Sequence, residues 1–269
     1  SNVKKYSHGM FQSVYDYPYL SSSANHIFDL AAGVWISGNF GRDGSNAVSA
    51  SNANRTEKEN LYAQMAAQLV GHDISGNIRA FDHLGDLTGS SDNKFHTAIF
   101  MPISRLLVKD EIQKESFELK IGTSSWAGDG AGSISTGVPD ALGVVTLKDL
   151  NALTSYKSNS PAGEYGILYS GSNAIDSAAV GLIFYQAGVV VLELTSSIVT
   201  GTFTDSGSNE YYSSSALTGL SYSGSFSSAS IDNVCDGFRR LVYSMEFRNT
   251  TEVNSTIYFC RAGHNDFNY

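Results

Sequence analysis

Short stretches in which apolar residues alternate with polar ones, or run apolar on both sides, recur along this chain and predict strands. Three candidates lie between Pro161 and Leu194: Glu164 to Tyr169, Val180 to Tyr185, and Val189 to Leu194. The short link Gln186-Ala187-Gly188 makes a hairpin of the last two. Those two strands are apolar on both faces, which places them at the centre of a sheet with something packed on each side. Phe117, Leu119 and Ile121 alternate with Glu118 and Lys120, the pattern of a strand with one buried face. Leu241 to Phe247 and Ser255 to Arg261 alternate as two more strands, joined by the polar turn Asn249-Thr250-Thr251-Glu252.

Helices are fewer. Leu61, Met65 and Leu69 repeat every fourth residue, Thr56 and Glu59 have capping-box spacing, and Gly71 supplies a stop. This predicts a helix over Thr56 to Val70 that buries one stripe and exposes Lys58, Gln64 and Gln68. Val108 and Ile112 suggest a second piece within Ser104 to Lys114, and Ile231, Val234 and Phe238 a third over Ile231 to Arg239, with Ser230 as N-cap. The fold class expected is therefore mainly β: an antiparallel sheet or sandwich with two or three short helices. Residues 1–55, where Tyr15, Tyr17 and Tyr19 surround Pro18, read as an extended aromatic arm, because proline pushes its predecessor toward an extended conformation. Residues 56–269 read as the main β domain, any division falling near 122–160, where Gly, Ser and Ala surround Trp126. The serine-rich tract from Thr195 to Ser230 has Tyr211 and Tyr212 as landmarks.

Composition narrows the function. Charged residues make up only 16% of the 269, against about 25% in an average soluble domain, so surface polarity must come from Ser, Asn, Thr and Gly. A net charge of −9 repels phosphate backbones, and nucleic acid is not an expected partner. No apolar run approaches the roughly 20 residues that span a bilayer, and no membrane partner is expected. The first residues lack the apolar run of a signal peptide, which leaves an already processed, exported chain open. Cys235 and Cys260 stand alone and read as buried thiols.

Chemistry is hard to find. No Gly-x-Ser-x-Gly elbow or paired Cys and His announces a nucleophile, and neither a phosphate loop nor a singled-out pair of carboxylates appears. The six histidines, His8, His26, His72, His83, His96 and His264, are scattered singly rather than at metal-ligand spacing. Asp73, Asp82 and Asp86 flank Gly76 and Gly85 but lack the alternate-residue spacing of a calcium loop, and read as turn formers. Asn54, Asn249 and Asn254 match the glycosylation pattern, as chance would produce in a chain this rich in Asn, Ser and Thr. No enzyme activity, cofactor or metal is expected.

Several blocks carry a resemblance: Ser13 to Tyr19 with Asn25 to Asp29, Asn159 to Tyr165, Gly181 to Gly188, and Ser255 to Arg261 with His264 to Tyr269. They resemble an uncharacterised family of virion structural proteins of contractile-tailed marine cyanophages. The resemblance implies a virion subunit, located in the particle, with other virion proteins and copies of itself as partners, and it carries no catalytic residues. In that family the chain continues past the last block, which agrees with the abrupt aromatic ending at Asp266 to Tyr269; a processed product and a natural terminus both stay open. Interfaces favour aromatic residues and are depleted of Lys and Glu, which makes Tyr15, Tyr17, Tyr19, Trp126, Tyr211 and Tyr212 the candidate interface residues. The alternative is a receptor- or carbohydrate-binding tail-fibre module, with exposed aromatics stacking on sugar rings.

Overall fold

The computed structural model describes residues 1–35, 53–87, 94–122, 144–175, 178–193, 229–261 and 263. Strands dominate. Ten of them form one antiparallel sheet in the order β1-β2-β3-β4-β10-β9-β8-β7-β6-β11. In chain order these are β1 (Val3–Lys5), β2 (Gln12–Tyr15), β3 (His26–Val34), β4 (Thr97–Pro102), β6 (Glu118–Gly122), β7 (Val144–Lys148), β8 (Tyr165–Ser170), β9 (Ala179–Phe184), β10 (Val189–Leu192) and β11 (Val242–Glu246). A second, two-stranded sheet pairs β5 (Glu111–Ile112) with β12 (Asn249–Thr250). The helices are α1 (Ala53–Leu69), the single turns α2 (Arg105–Val108) and α3 (Ala152–Ser155), and α4 (Ile231–Leu241). No helix among the described residues is long and apolar enough to cross a membrane.

The mainly β class holds, and so does the placement of the two all-apolar strands. β9 and β10 are buried on both faces and pair antiparallel, Val189 opposite Phe184 and Leu192 opposite Gly181. On one face α1 packs Tyr62, Ala66 and Leu69 against Ala31, Phe100, Leu182, Phe184 and Val191. Gly33 lets the helix come close: a Cβ there would lie 2.7 Å from the Phe100 ring and 2.9 Å from Tyr62 Cβ. On the other face α4 packs Ile231, Val234, Cys235 and Phe238 into a core with Leu30, Ala32, Ile99, Met101, Ile183 and Val190. Ser230 caps α4 by accepting a hydrogen bond from Asn233 N–H (3.3 Å).

Several expectations need correction. Residues 1–34 are no separate arm: β1, β2 and β3 are sheet strands, and β3 sits in the core because Phe28, Leu30, Ala31, Ala32 and Val34 are all buried. Lys58 is buried rather than exposed. It lies one turn before Tyr62 on the stripe that faces the sheet, and its ammonium donates to Ala229 O (2.6 Å) while burial lowers its pKa to about 8. The helix begins before Thr56, so Thr56 and Glu59 lie inside it, and Glu59 pairs instead with Arg55 (2.7 Å). The helical piece expected from Ser104 to Lys114 is one turn, ended by Lys109 at φ +62°, after which the chain enters β5. Cys235 is buried as expected, but Cys260 is exposed. Ser255 to Arg261 forms no strand pairing among the described residues.

Candidate functional site

Two buried polar clusters were missed because their members are far apart in sequence. The first ties β10 to the segments before β4. Glu193 follows β10, and its Oε2 lies 2.6 Å from His83 Nε2. His83 Nδ1 is 3.1 Å from Ala179 O, and Glu193 Oε1 accepts from His96 N–H (3.1 Å). Beside this pair Lys94 bonds the fully buried Asp82 (2.7 Å). Tyr62 Oη donates to Phe95 O (2.8 Å) and accepts from Phe81 N–H (3.1 Å), anchoring α1 to the same segments. Burial lowers the pKa of His96, and with it the cost of leaving that ring neutral. Glu193 was visible only as the lone charge after an apolar run.

The second cluster is centred on Asp149, 1% exposed at the end of β7. Its Oδ2 accepts from Glu115 N–H (2.7 Å) and Tyr185 Oη (3.1 Å), and Oδ1 from Phe117 N–H (3.0 Å). Burial raises its pKa to about 6, although all three bonds pull it down. Gly166 leaves room for the Tyr185 hydroxyl, which lies where a Cβ would stand. Every oxygen of Asp149 is thus used to fix the turn at Glu115, a residue at φ +61°, against β8 and β9. Both clusters hold segments together.

Of the three aspartates weighed for calcium, Asp73 and Asp82 serve their own turns. Asp73 accepts from Ser75 and Asn77 N–H (both 2.8 Å), and Asp82 accepts from Leu84 N–H (2.8 Å) besides Lys94. Among the described residues no group of three His, Cys, Asp or Glu side chains is placed to hold a metal.

Of the expected interface residues, Tyr15, Tyr17 and Tyr19 are described. Tyr15 at the end of β2 packs its ring on His26 (5.6 Å) and Tyr19 (6.4 Å), leaving Tyr17 exposed beside Leu20. Trp126, Tyr211 and Tyr212 lie outside the described residues. A larger apolar surface is found elsewhere. All of residues 251–261 are exposed, and within them Val253 is 87%, Ile257 73%, Tyr258 84% and Phe259 93% exposed. The strand expected over Ser255 to Arg261 is not formed among the described residues.

No protein-family model, no curated protein and no solved structure matches this chain.

Proposed function

We propose that the chain is a structural subunit of a phage particle, acting by packing against copies of itself and other particle proteins. The observation that carries this reading is the run 251–261, in which four large apolar side chains are left in water on a segment without assigned secondary structure. Each would contribute roughly 1.5–3 kcal/mol if covered. A protein that keeps such a surface as a monomer invites aggregation, so it belongs to a partner. Three further points support the reading: the family resemblance of blocks spread along the chain, the low charge content that suits interfaces, and buried ionisable clusters that fasten segments together.

The test is to label the subunit and image assembled particles. Copies in a symmetric ring or lattice, each touching its neighbours, are the expected result. Absence from purified particles would overturn the reading, and copies confined to fibre tips, with glycan binding lost on Trp126→Ala, would replace it with receptor binding.

A further inference from the structure

The exposed run is rooted before it becomes free. Asp110 N–H donates to Thr250 O (3.2 Å), Asn249 Nδ2 to Leu107 O (2.7 Å), and Glu252 N–H to Asp110 Oδ2 (2.7 Å). From Val253 to Arg261 no hydrogen bond to another described residue follows. A backbone in that state has N–H and C=O groups that a second strand can satisfy once the segment is drawn out as a strand. Its side chains are sorted as well. Val253, Ser255, Ile257 and Phe259 form one row, and Asn254 and Thr256 begin the opposite row ahead of Tyr258 and Cys260. Such a segment suits a sheet edge with one dry face and one wet face.

The large sheet has two edges. β1 is three residues long, two of them Lys4 and Lys5, and Lys5 is held by Asp236 on α4 (2.5 Å). Short, lysine-bearing edges discourage added strands. β11 is longer, contains neither lysine nor proline, and pairs only with β6 among the described residues. The strand beside it has the required asymmetry. Leu119 and Ile121 of β6 are buried on one face, while Glu118 on the other face meets Lys120 (3.1 Å) and Lys148 (2.8 Å) near water. On the dry face the core thins toward the edge: Leu119 and Ile121 are fully buried, whereas Val242, Met245 and Phe247 are covered only in part. A strand presenting Ile257 and Phe259 on that side would complete the cover. The segment follows β11 closely but does not turn back onto it, because β12 lies between and is tied to β5.

The geometry points to strand donation between copies, with Val253 to Phe259 of one chain adding to the β11 edge of the next. This rests on the reading of the chain as an assembling subunit and names the surfaces that meet. Donor and acceptor are different surfaces, so the contact is head to tail and propagates into a ring or a filament.

The test uses two full-length variants and sedimentation velocity. Ile257→Lys with Phe259→Lys spoils the donor, and Tyr243→Lys with Ser244→Lys gives the acceptor edge the lysines that β1 carries. The unaltered chain is expected to form species larger than a dimer, and each variant alone to associate about 100-fold more weakly, the donor variant through the loss of two apolar contacts and the acceptor variant through lysines on the receiving edge. An equimolar mixture of the two variants should give a 1:1 complex and nothing larger, since only one intact donor then meets one intact acceptor. Circular dichroism checks that both fold, and Glu246→Lys, exposed on the same strand, replaces the acceptor pair if it does not. Assembly of both variants like the unaltered chain would overturn strand donation and leave the subunit reading intact. A chain that stays monomeric at every attainable concentration would also overturn donation, and particle imaging alone would then decide the subunit reading.

Discussion

Strands β3, β4, β10, β9 and β8 bury both of their faces, whereas β6 and β7 bury one and leave the other to Glu118, Lys120, Thr146 and Lys148. The difference follows from what lies above each half. α1 with Phe81 and Phe95 covers the first set, and no described helix covers the outer face of the second. The sequence pattern mirrors this: runs apolar on both sides in β9 and β10, strict alternation in β6. A sheet that is three layers thick in one half and two in the other has its stability concentrated in the first and its spare surface in the second.

The largest effect should come from the doubly covered half. Phe184 is fully buried, stacked on Tyr165 (5.0 Å) and edge-on to Phe81 (6.4 Å). Phe184→Ala is expected to cost about 3–5 kcal/mol in urea unfolding. An equal loss from Lys148→Ala in the wing would break the comparison.

Asp149 joins the two halves, and its effect depends on pH. The folded state holds this proton up to about pH 6, against an ordinary value of 3.8, so it binds more protons than the unfolded chain between those values. The stability tied to that proton is present below about pH 4 and lost as pH rises through 6. Asp149→Asn cannot ionise, although its amide leaves one donor unmet at a cost of about 1–3 kcal/mol. Relative to the unaltered chain, the variant should therefore gain roughly 2–3 kcal/mol between pH 4 and pH 7. A difference that stays constant across those pH values would show that Asp149 is not held protonated by burial.

The smallest effect belongs to the wet face of the wing. Glu118 is bonded to Lys148 and Lys120, which lowers its pKa, but all three side chains meet solvent. Glu118→Ala should change stability by less than about 1 kcal/mol and lose even that at high salt. A larger, salt-independent loss would mean that this face is covered after all.

How far these features can be read in the residues follows the same division. β8, β9 and β10 were legible to within a residue or two because their apolar runs are bounded by the turn at Gln186 to Gly188, where Gly188 takes φ +66°. α4 was legible from its spacing and its serine cap. Lys58 misled because a lysine on a helix is normally wet, and nothing local shows that the Ala229 carbonyl waits for it. The pairing of His83 with Glu193, 110 positions apart (193 − 83), and the bonds of Asp149 to Glu115 and Phe117 depend on sheet order, which local pattern does not contain. Residues 1–34 read as an arm because Pro18 and the surrounding tyrosines suggest an extended segment, and the partners that β3 finds in β4, α1 and α4 make it core. Ser255 to Arg261 shows the converse, a strand pattern that finds no partner among the described residues, which the proposal of strand donation supplies from a neighbouring copy.

Amide hydrogen exchange over residues 253–259 tests that last claim most directly. In the dilute chain these amides should exchange at nearly the rate of an unstructured peptide, and in assembled particles they should slow by about 1,000-fold or more, as for strands inside a sheet. Equal, fast exchange in both states would contradict the claim that this segment is made to be covered by a neighbour.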